Sequence, residues 1–265
     1  MKKGNLISCS SHLVILKLSD DLKSYKVLQR FKEDVDNKYN CIYKAIQLST
    51  SHIVSISYDG IMKAYMKENE NEDEFFLFKI NKRVSNGAAI SNIFEIKERK
   101  QFIVNLGARY HSQKPKIFDS QSCDYIKELE LIFITYYYTN DIYLYLDNGY
   151  LAIGACSYIH IFNLDQQKKI SSHPYQHEIS SAYSYIMAIT KFKKDLIISV
   201  NDFGDIELWK LNKDFKLISQ SYFKSIHKDM IYSIIILKRN KSEDESIITC
   251  SKDGQIIINK ALIDN

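Results

Sequence analysis

Apolar and polar residues along this chain form a pattern that recurs six times, about every 48 residues. Each copy has an apolar run, a short polar turn and a second apolar run. The copies occupy residues 6–19, 53–66, 103–120, 151–164, 197–212 and 247–262. Apolar runs of this length, bounded by Gly, Asp, Asn and Ser, predict β-strands joined by tight turns. The recurrence therefore predicts a repeat architecture of small antiparallel sheets.

Each period holds four such segments, which we label strands a, b, c and d in chain order. The chain opens on a b strand and closes on a c strand, which predicts 22 strands. Segments 24–35 and 122–133 have some helical character, but both lie where strand d belongs and are predicted as strands. Four strands per repeat of this length are typical of a propeller blade. We expect an all-β fold, a β-propeller of about six four-stranded blades with the first and last incomplete, in a single domain over residues 1–265.

The composition agrees with this interpretation. Apolar residues make up 45% of the chain and Pro occurs only twice, which suits packed, pleated sheets. The 36 basic and 32 acidic residues nearly balance, so the chain lacks the charge excess typical of nucleic-acid binding. No run of about 18 apolar residues occurs, so no membrane span is expected.

The five cysteines indicate a reducing environment. Their number is odd, no CxxC spacing occurs, and Cys9 and Cys250 occupy the same place in two repeats, where a small buried side chain is expected. Segment 6–19 aligns with the other repeats, so we interpret it as a strand hairpin and not as a signal peptide. A cytoplasmic or nuclear protein is therefore expected.

The last repeat resembles the WD-repeat family of β-propellers. That family places a His before strand a, a Ser or Thr on strand b, an Asp in the b–c turn and a Trp on strand c, joined by hydrogen bonds. Here His227 and Asp253 match the His and the turn Asp, and Ser233 matches a polar position on the strand after the His. The Trp position holds Asn259, a departure. The resemblance implies a buried polar network in this repeat.

Other repeats match the family in part. In the second repeat Asp59 matches the turn Asp and Tyr65 replaces the Trp, whereas in the fifth repeat Trp209 matches the Trp itself. The turn position of the fifth repeat holds Phe203, with Asp202 displaced by one. We therefore expect the second and sixth repeats to be the best anchored, and the fifth to lack a network around a turn Asp.

Two histidines, His173 and His177, lie near Glu178 and raise the question of a zinc site. Their spacing converges only on a helix, whereas this segment contains Pro174 and is interpreted as a loop between blades. Three of the a strands carry no Asp or Glu, and no nucleophile elbow or phosphate-binding loop occurs. The sequence thus predicts no metal, no cofactor, no small-molecule substrate and no catalysis, with a propeller hydrolase as a weaker alternative.

The tyrosine-rich segment 135–150 suggests a second alternative, a propeller subunit of an RNA-associated complex. Tyrosine rings can stack on nucleic-acid bases. Tyrosines that alternate along strands more often pack between sheets, however, and the near-neutral charge balance favours the same interpretation. Packing is therefore the preferred role of this segment.

In the WD-repeat family, partners dock on the face formed by the d–a and b–c loops. The residue before the turn Asp projects from that face, which implies Tyr58 and Lys252 here, with Asp202 in the fifth repeat and Asp229 in the loop after His227. The resemblance implies a non-catalytic protein–protein interaction scaffold that binds peptides or protein domains within a larger assembly. The missing strands leave three alternatives: the ring is open, the chain is part of a longer propeller, or a protein partner completes the ring by strand addition.

Overall fold

The strand pattern is present throughout the part of the chain that the structure describes. The computed structural model describes residues 5–9, 12–19, 24–32, 41–57, 59–69, 74–81, 84, 90–106, 114–130, 142–155, 157–175, 184–193, 195–238 and 245–259. These ranges contain 22 strands, two short 3-10 turns and no α-helix. The strands form six antiparallel sheets in which consecutive strands are neighbours. The predicted all-β propeller fold class and strand number are confirmed.

The internal contacts divide the chain into two compact units, and unit 1 spans Met1–Tyr138. Unit 1 contains three sheets. Sheet 1 consists of β1 (Asn5–Cys9), β2 (His12–Leu18) and β3 (Tyr25–Lys32). Sheet 2 consists of β4 (Ile42–Gln47), β5 (Ile53–Ser57), β6 (Met62–Met66) and β7 (Phe76–Asn81). Sheet 3 consists of β8 (Ile90–Ile96), β9 (Gln101–Leu106), β10 (Lys116–Asp119) and β11 (Tyr125–Glu128).

Unit 2 spans Thr139–Asn265 and also contains three sheets. Sheet 4 consists of β12 (Ile142–Leu146), β13 (Tyr150–Ala155), β14 (Tyr158–Asn163) and β15 (Lys168–Pro174). Sheet 5 consists of β16 (Ile186–Lys193), β17 (Leu196–Asn201), β18 (Ile206–Leu211) and β19 (Leu217–Phe223). Sheet 6 consists of β20 (Ile231–Lys238), β21 (Glu245–Ser251) and β22 (Ile256–Asn259). A single domain over residues 1–265 stays a prediction.

The first and last described sheets each have three strands instead of four, as expected from the sequence. Within the described residues, sheet 1 has strands b, c and d, and sheet 6 has strands a, b and c. Both segments with helical character are d strands, β3 and β11, as predicted. One predicted loop is a strand: β15 continues through His173 to Pro174. A Pro is tolerated there because β15 is an edge strand, whose outer side needs no N–H donor.

The pairing between strands c and d shifts by one residue at the same repeat position in all five described sheets that have a d strand. The residues that follow the shift are Leu16, Tyr65, Phe118, Phe162 and Trp209. Such a bulge leaves one residue of the bulged strand unpaired and increases the local twist. The large side chain that recurs in the sequence therefore marks a recurring irregularity of the sheet.

Each sheet has two apolar faces, because neighbouring residues of a strand point to opposite sides. In sheet 5, Ile197 and Trp209 are directly paired and pack on sheet 4. On its opposite side, Ile198, Val200 and Ile206 pack against sheet 6. We call the side that packs on the preceding sheet the covering face, and the side on which the next sheet packs the covered face.

The same arrangement recurs within unit 1. Tyr65 on the covering face of sheet 2 belongs to one buried cluster with Ile15 of sheet 1. Phe118 on the covering face of sheet 3 belongs to another with Val54 and Ile56 of sheet 2. The core of each unit thus consists of successive contacts between a covering and a covered face.

The contact between sheets 4 and 5 depends on a glycine. A Cβ added at Gly154, on the covered face of sheet 4, would lie 2.9 Å from Ile186 Cγ2 and 3.0 Å from Ile189 Cδ1. Distances this short would force the neighbouring side chains to move. The missing side chain therefore permits a close approach of the two sheets.

We expect the Gly154→Ala variant to be less stable by about 1–3 kcal/mol, because the added methyl group overpacks this contact. Its melting temperature should fall by a few degrees in a calorimetric scan. The Ile189→Val change removes the Cδ1 methyl group that lies 3.0 Å from the new one, so the double variant should lose less stability than the two single losses combined. An unchanged or higher melting temperature for Gly154→Ala would contradict the close approach.

Candidate interaction face

The predicted polar network of the sixth repeat is present, and His227 lies at its centre. The buried His227 Nδ1 lies 3.0 Å from Asp253 Oδ2, and Nε2 lies 2.8 Å from Thr249 Oγ1. Because a carboxylate can only accept, Nδ1 donates its proton to Asp253. The backbone N–H of Lys228 donates to the same carboxylate oxygen at 3.0 Å. The network joins the loop before β20 to the turn between β21 and β22.

Asp253 has a strongly lowered pKa. Removal from solvent raises the pKa of this carboxyl, but hydrogen bonds from the backbone N–H groups of Gln255 and Lys228, together with His227, outweigh it and lower the pKa to about 2. Gln255 N–H donates to Asp253 Oδ1 at 2.9 Å. Asp253 is therefore held as a carboxylate throughout the physiological range.

The strand residue of this network is Thr249, which the sequence interpretation did not select. Ser233, the residue that was matched, is paired with Cys250 and lies on the opposite side of sheet 6 from Thr249. A signal for Thr249 exists, because it is a polar residue at an inward position of an apolar strand, four residues before Asp253. Only the pairing register shows that its hydroxyl group meets His227.

The matched residues of the second repeat have more local roles. Asp59 accepts hydrogen bonds from Ser57 Oγ and, at 3.3 Å, from the backbone N–H of Ile61. These bonds stabilise its own turn between β5 and β6. Tyr65 is buried, and its ring centroid lies 4.4 Å from that of Phe31 in sheet 1. Tyr58 lies outside the described residues.

The fifth repeat does contain a network around a turn carboxylate, so the expectation that it lacks one was wrong. The buried Asp205 accepts from Asn201 Nδ2 at 3.0 Å, from the Tyr222 hydroxyl at 2.6 Å and from Ser225 N–H at 2.7 Å. Trp209 Nε1–H donates to Ser199 Oγ at 2.7 Å, as the resemblance implied for the Trp. The inward acid of this turn is therefore two residues after the position assigned from the sequence.

Asp202 has a structural role in the same turn. Its Oδ1 accepts from the backbone N–H of Tyr185 at 2.8 Å and from Ser184 Oγ at 3.4 Å. These bonds attach the turn between β17 and β18 to the segment just before β16. Asp202 is thus half-buried beside sheet 5, where its carboxylate helps to position the start of β16.

Asp229 and Lys252 are brought together on the surface. Lys252 Nζ lies 3.6 Å from Asp229 Oδ2, and the two side chains are 58% and 43% exposed. The backbones beneath them are joined, because Lys252 N–H donates to Met230 O and Ser251 Oγ donates to Asp229 O. We call this pair, with the loop 227–230 and the turn 252–255, the loop face of unit 2.

The turn of sheet 5 supports the loop face from the side. Gly204 has φ +82, and a Cβ there would lie 2.1 Å from the backbone oxygen of His227 and 3.1 Å from that of Asp229. His227 N–H also donates to Gly204 O at 3.1 Å. Any residue with a side chain would be strained at this φ and would collide with the loop. The loop face is therefore held by backbone contacts from two sheets.

His173 is engaged within the sheets of unit 2. Its Nε2 accepts from the backbone N–H of Leu217 at 3.2 Å and lies 2.8 Å from Ser171 Oγ. Burial lowers the pKa of His173, and Lys216 adds to this effect. The part of the chain that the structure describes holds no group of three or more His, Cys, Asp or Glu side chains able to bind a metal ion. His177 lies outside the described residues.

Comparison with known proteins identifies the fold. No protein-family model matches the chain, and no curated protein sequence matches it. The structure is similar to the crystal structure of Saccharomyces cerevisiae Sqt1, a WD-repeat protein, with a TM-score of 0.63 over 97% of this chain and 81% of the Sqt1 chain, at 9% sequence identity. This likeness shows a six-bladed β-propeller fold and, at such low identity, the fold alone. No helical segment within the described residues has the length and apolar content that a bilayer crossing requires.

We expect the Asp253→Asn variant to melt a few degrees below the wild type at neutral pH, because the amide cannot replace the charged acceptor. The ordinary pKa of 3.8 applies to the unfolded chain, and about 2 applies to the folded one. A lowered carboxyl pKa stabilises the fold above the unfolded value, and this contribution is lost as the pH falls through the folded value. The difference in melting temperature should therefore narrow between about pH 4 and pH 2.

The control for this pH series is Thr249→Val, which removes a contact of the same His227 but no ionisable group. Its loss in melting temperature should stay nearly constant over the same pH range. A difference in melting temperature between Asp253→Asn and the wild type that does not change with pH would contradict the proposed charge on Asp253.

We expect the Asp205→Ala variant to lose about 2 kcal/mol of unfolding free energy, because the buried Asn201 amide, the Tyr222 hydroxyl and the Ser225 N–H lose a shared acceptor. Urea denaturation measures this loss. Asp214→Ala, at an exposed position in the turn between β18 and β19, should change stability by no more than about 0.5 kcal/mol. Equal effects of the two substitutions would show that Asp205 does not anchor the fifth repeat.

Proposed function

We propose that this protein is a non-catalytic protein–protein interaction scaffold, which binds peptides or protein domains through the loop face of unit 2 within a larger assembly. The observation that carries the proposal is the exposed Asp229–Lys252 pair on a loop and a turn that buried hydrogen bonds hold in place. Exposed groups on a rigid support are typical of binding sites carried by stable scaffolds.

The support beneath the pair favours binding because little has to be ordered when a partner arrives. The loop is held at His227 by Asp253 and Thr249, and at its side by Gly204. Association loses less conformational entropy when the contact surface is already fixed. The loop face therefore meets the main physical requirement of a docking surface.

The charges of the pair set the kind of partner. Asp229 presents a carboxylate and Lys252 an ammonium group less than 4 Å away, so a complementary surface carries the two opposite charges at a similar spacing. Charged groups at the rim of an interface mainly determine specificity and association rate. A peptide or protein domain with adjacent basic and acidic side chains fits this face.

A scaffold needs no reacting group, and the ionisable side chains below this face bind each other. His227 and Asp253 form a buried pair whose atoms are used in holding the loop. We propose accordingly that the protein acts without cofactor or substrate, in the cytoplasm or the nucleus. Completion of the fold by a partner strand, one of the three alternatives left open by the sequence, is part of the same proposal.

Charge reversal at the loop face tests this function. We expect Asp229→Lys and Lys252→Glu each to weaken binding of the physiological partner by about tenfold, since a favourable rim charge becomes a repulsive one. The partner is isolated from native extract with the wild-type protein, identified by mass spectrometry, purified, and titrated against each variant. A double variant with the two charges exchanged keeps the internal ion pair, so its loss of binding would be due to the partner and not to stability.

The matched controls are Lys213→Glu and Asp214→Lys, which reverse two exposed charges in the turn between β18 and β19, at the other end of sheet 5. Both controls should bind the partner as the wild type does. If the loop-face variants retain the partner equally well, the proposed docking face is wrong.

A further inference from the structure

The segment 224–230, which carries Asp229, is attached to sheet 5 at its start as well as to sheet 6. The backbone N–H of Ser225 donates to Asp205 Oδ1 at 2.7 Å. The Tyr222 hydroxyl and the Asn201 amide donate to the other oxygen of the same carboxylate. Asp205 is therefore fixed within sheet 5, and this buried carboxylate of the fifth repeat holds the start of the segment that leads to the loop face.

This attachment helps to determine where the loop face lies. Two residues after Ser225, the N–H of His227 donates to Gly204 O at 3.1 Å, and the His227 ring contacts Asp253. The backbone from Ser225 to His227 is thus held at both ends. A hydrogen bond to a charged acceptor is roughly twice as strong as a neutral one, so loss of the bond from Ser225 should loosen the segment as far as Asp229.

Ser225 joins a buried contact to the solvent. Asp205 is 1% exposed, whereas Ser225 is exposed. The φ of Ser225, 51, lies in the left-handed region, which Asn and Asp adopt more readily than most residues with a side chain. The hydroxyl oxygen is only three covalent bonds from the nitrogen that binds Asp205. A charge added to this hydroxyl group would therefore lie close to the buried carboxylate.

The balance of charges at Ser225 decides what such a modification does. A phosphoryl group would add a charge of about −1.5 to −2 beside the Asp205 carboxylate. Asp205 is buried, so water and salt screen it little and the repulsion between like charges is strong. Lys224 and Lys228 are exposed, and attraction between charges in water contributes little. Repulsion therefore outweighs attraction, and it is relieved when the bond between Ser225 N–H and Asp205 breaks.

We propose that Ser225 is a control site of the loop face, at which phosphorylation of the hydroxyl group releases the segment 224–230 from Asp205 and weakens docking. In the reaction, Ser225 Oγ attacks the γ-phosphorus of ATP bound to a protein kinase. The new O–P bond forms as the bond to ADP breaks, and the hydroxyl proton passes to the catalytic base of the kinase. The inference rests on the proposed scaffold function and deepens it, because it gives the regulation of the same face.

Amide hydrogen exchange of the full chain tests the release directly, without a partner. Position 225 carries phosphoserine or one of two substitutions, Ser225→Asp and Ser225→Asn, which both suit a positive φ and differ in one charge. The amides of His227 and Lys228 donate to Gly204 and Asp253. They should exchange at least about tenfold faster with phosphoserine or Asp, because their segment opens more often. In Ser225→Asn they should exchange at the wild-type rate.

Two further variants show whether charge beside Asp205 is the cause. Gln220→Glu adds a charge at an exposed position of β19 and should leave both amides unchanged. Asp205→Asn keeps an oxygen acceptor for Ser225 N–H but removes its charge, so Ser225→Asp should add no acceleration in that background. Full acceleration in that background, or equal exchange in Ser225→Asp and Ser225→Asn, would overturn the proposal.

Titration with the purified partner connects the release to docking. Phosphoserine and Ser225→Asp should each weaken binding at least about tenfold, because the released segment has to be ordered again when the partner binds. Ser225→Asn and Gln220→Glu should bind as the wild type does. All variants are titrated at a temperature at which circular dichroism shows each of them to be folded.

The outcomes separate the control site from the docking face. If phosphoserine leaves both amides at the wild-type rate while Asp229→Lys and Lys252→Glu weaken binding, the control site is wrong and the docking face stands. If the amides accelerate but the affinity does not change, partners dock elsewhere, and the proposed function is overturned together with its control by Ser225.

Discussion

The stability of each unit depends on one constraint, that every sheet has apolar side chains on both faces and cannot bury either of them alone. Sheets of three or four short strands become stable only when another layer packs on them. In the contacts between sheets 1 and 2, 2 and 3, and 4 and 5, a covering face with a large ring meets a covered face of smaller residues, as Trp209 meets Ala152. In each of these contacts the earlier sheet in the chain supplies the smaller residues and the later sheet supplies the ring.

The polar residues at the strand ends follow from the same packing. Once sheets approach closely, the turn carboxylates between strands b and c are buried, and each needs donors. Sheet 6 supplies His227 to Asp253 from the preceding loop, whereas sheet 5 supplies Tyr222 to Asp205 from its own outer strand. The two repeats satisfy the same requirement with different residues. The proposed docking face depends on these bonds because they hold the loop that carries Asp229.

Much of the fold could be predicted from the sequence, because hydrophobic periodicity and turn residues are local signals. The residues of the candidate site were harder to predict from the sequence. Asp202 and Asp205 occupy the same polar turn, and Asp205 is the inward one because it has donors from Tyr222 and Ser225, seventeen and twenty residues later in the chain. Thr249 was missed for a similar reason, since its role depends on a histidine from another loop.

The one-residue shift between strands c and d has a consequence for how the length of this chain can vary. In an uninterrupted ladder, one inserted residue turns every later side chain to the opposite face. Here the d strands already contain an unpaired residue opposite boundaries such as Leu208/Trp209, and they lie at the outer edge of their sheets. Insertions and deletions are therefore better tolerated between strands c and d than between strands b and c, whose pairing is uninterrupted in all six described sheets.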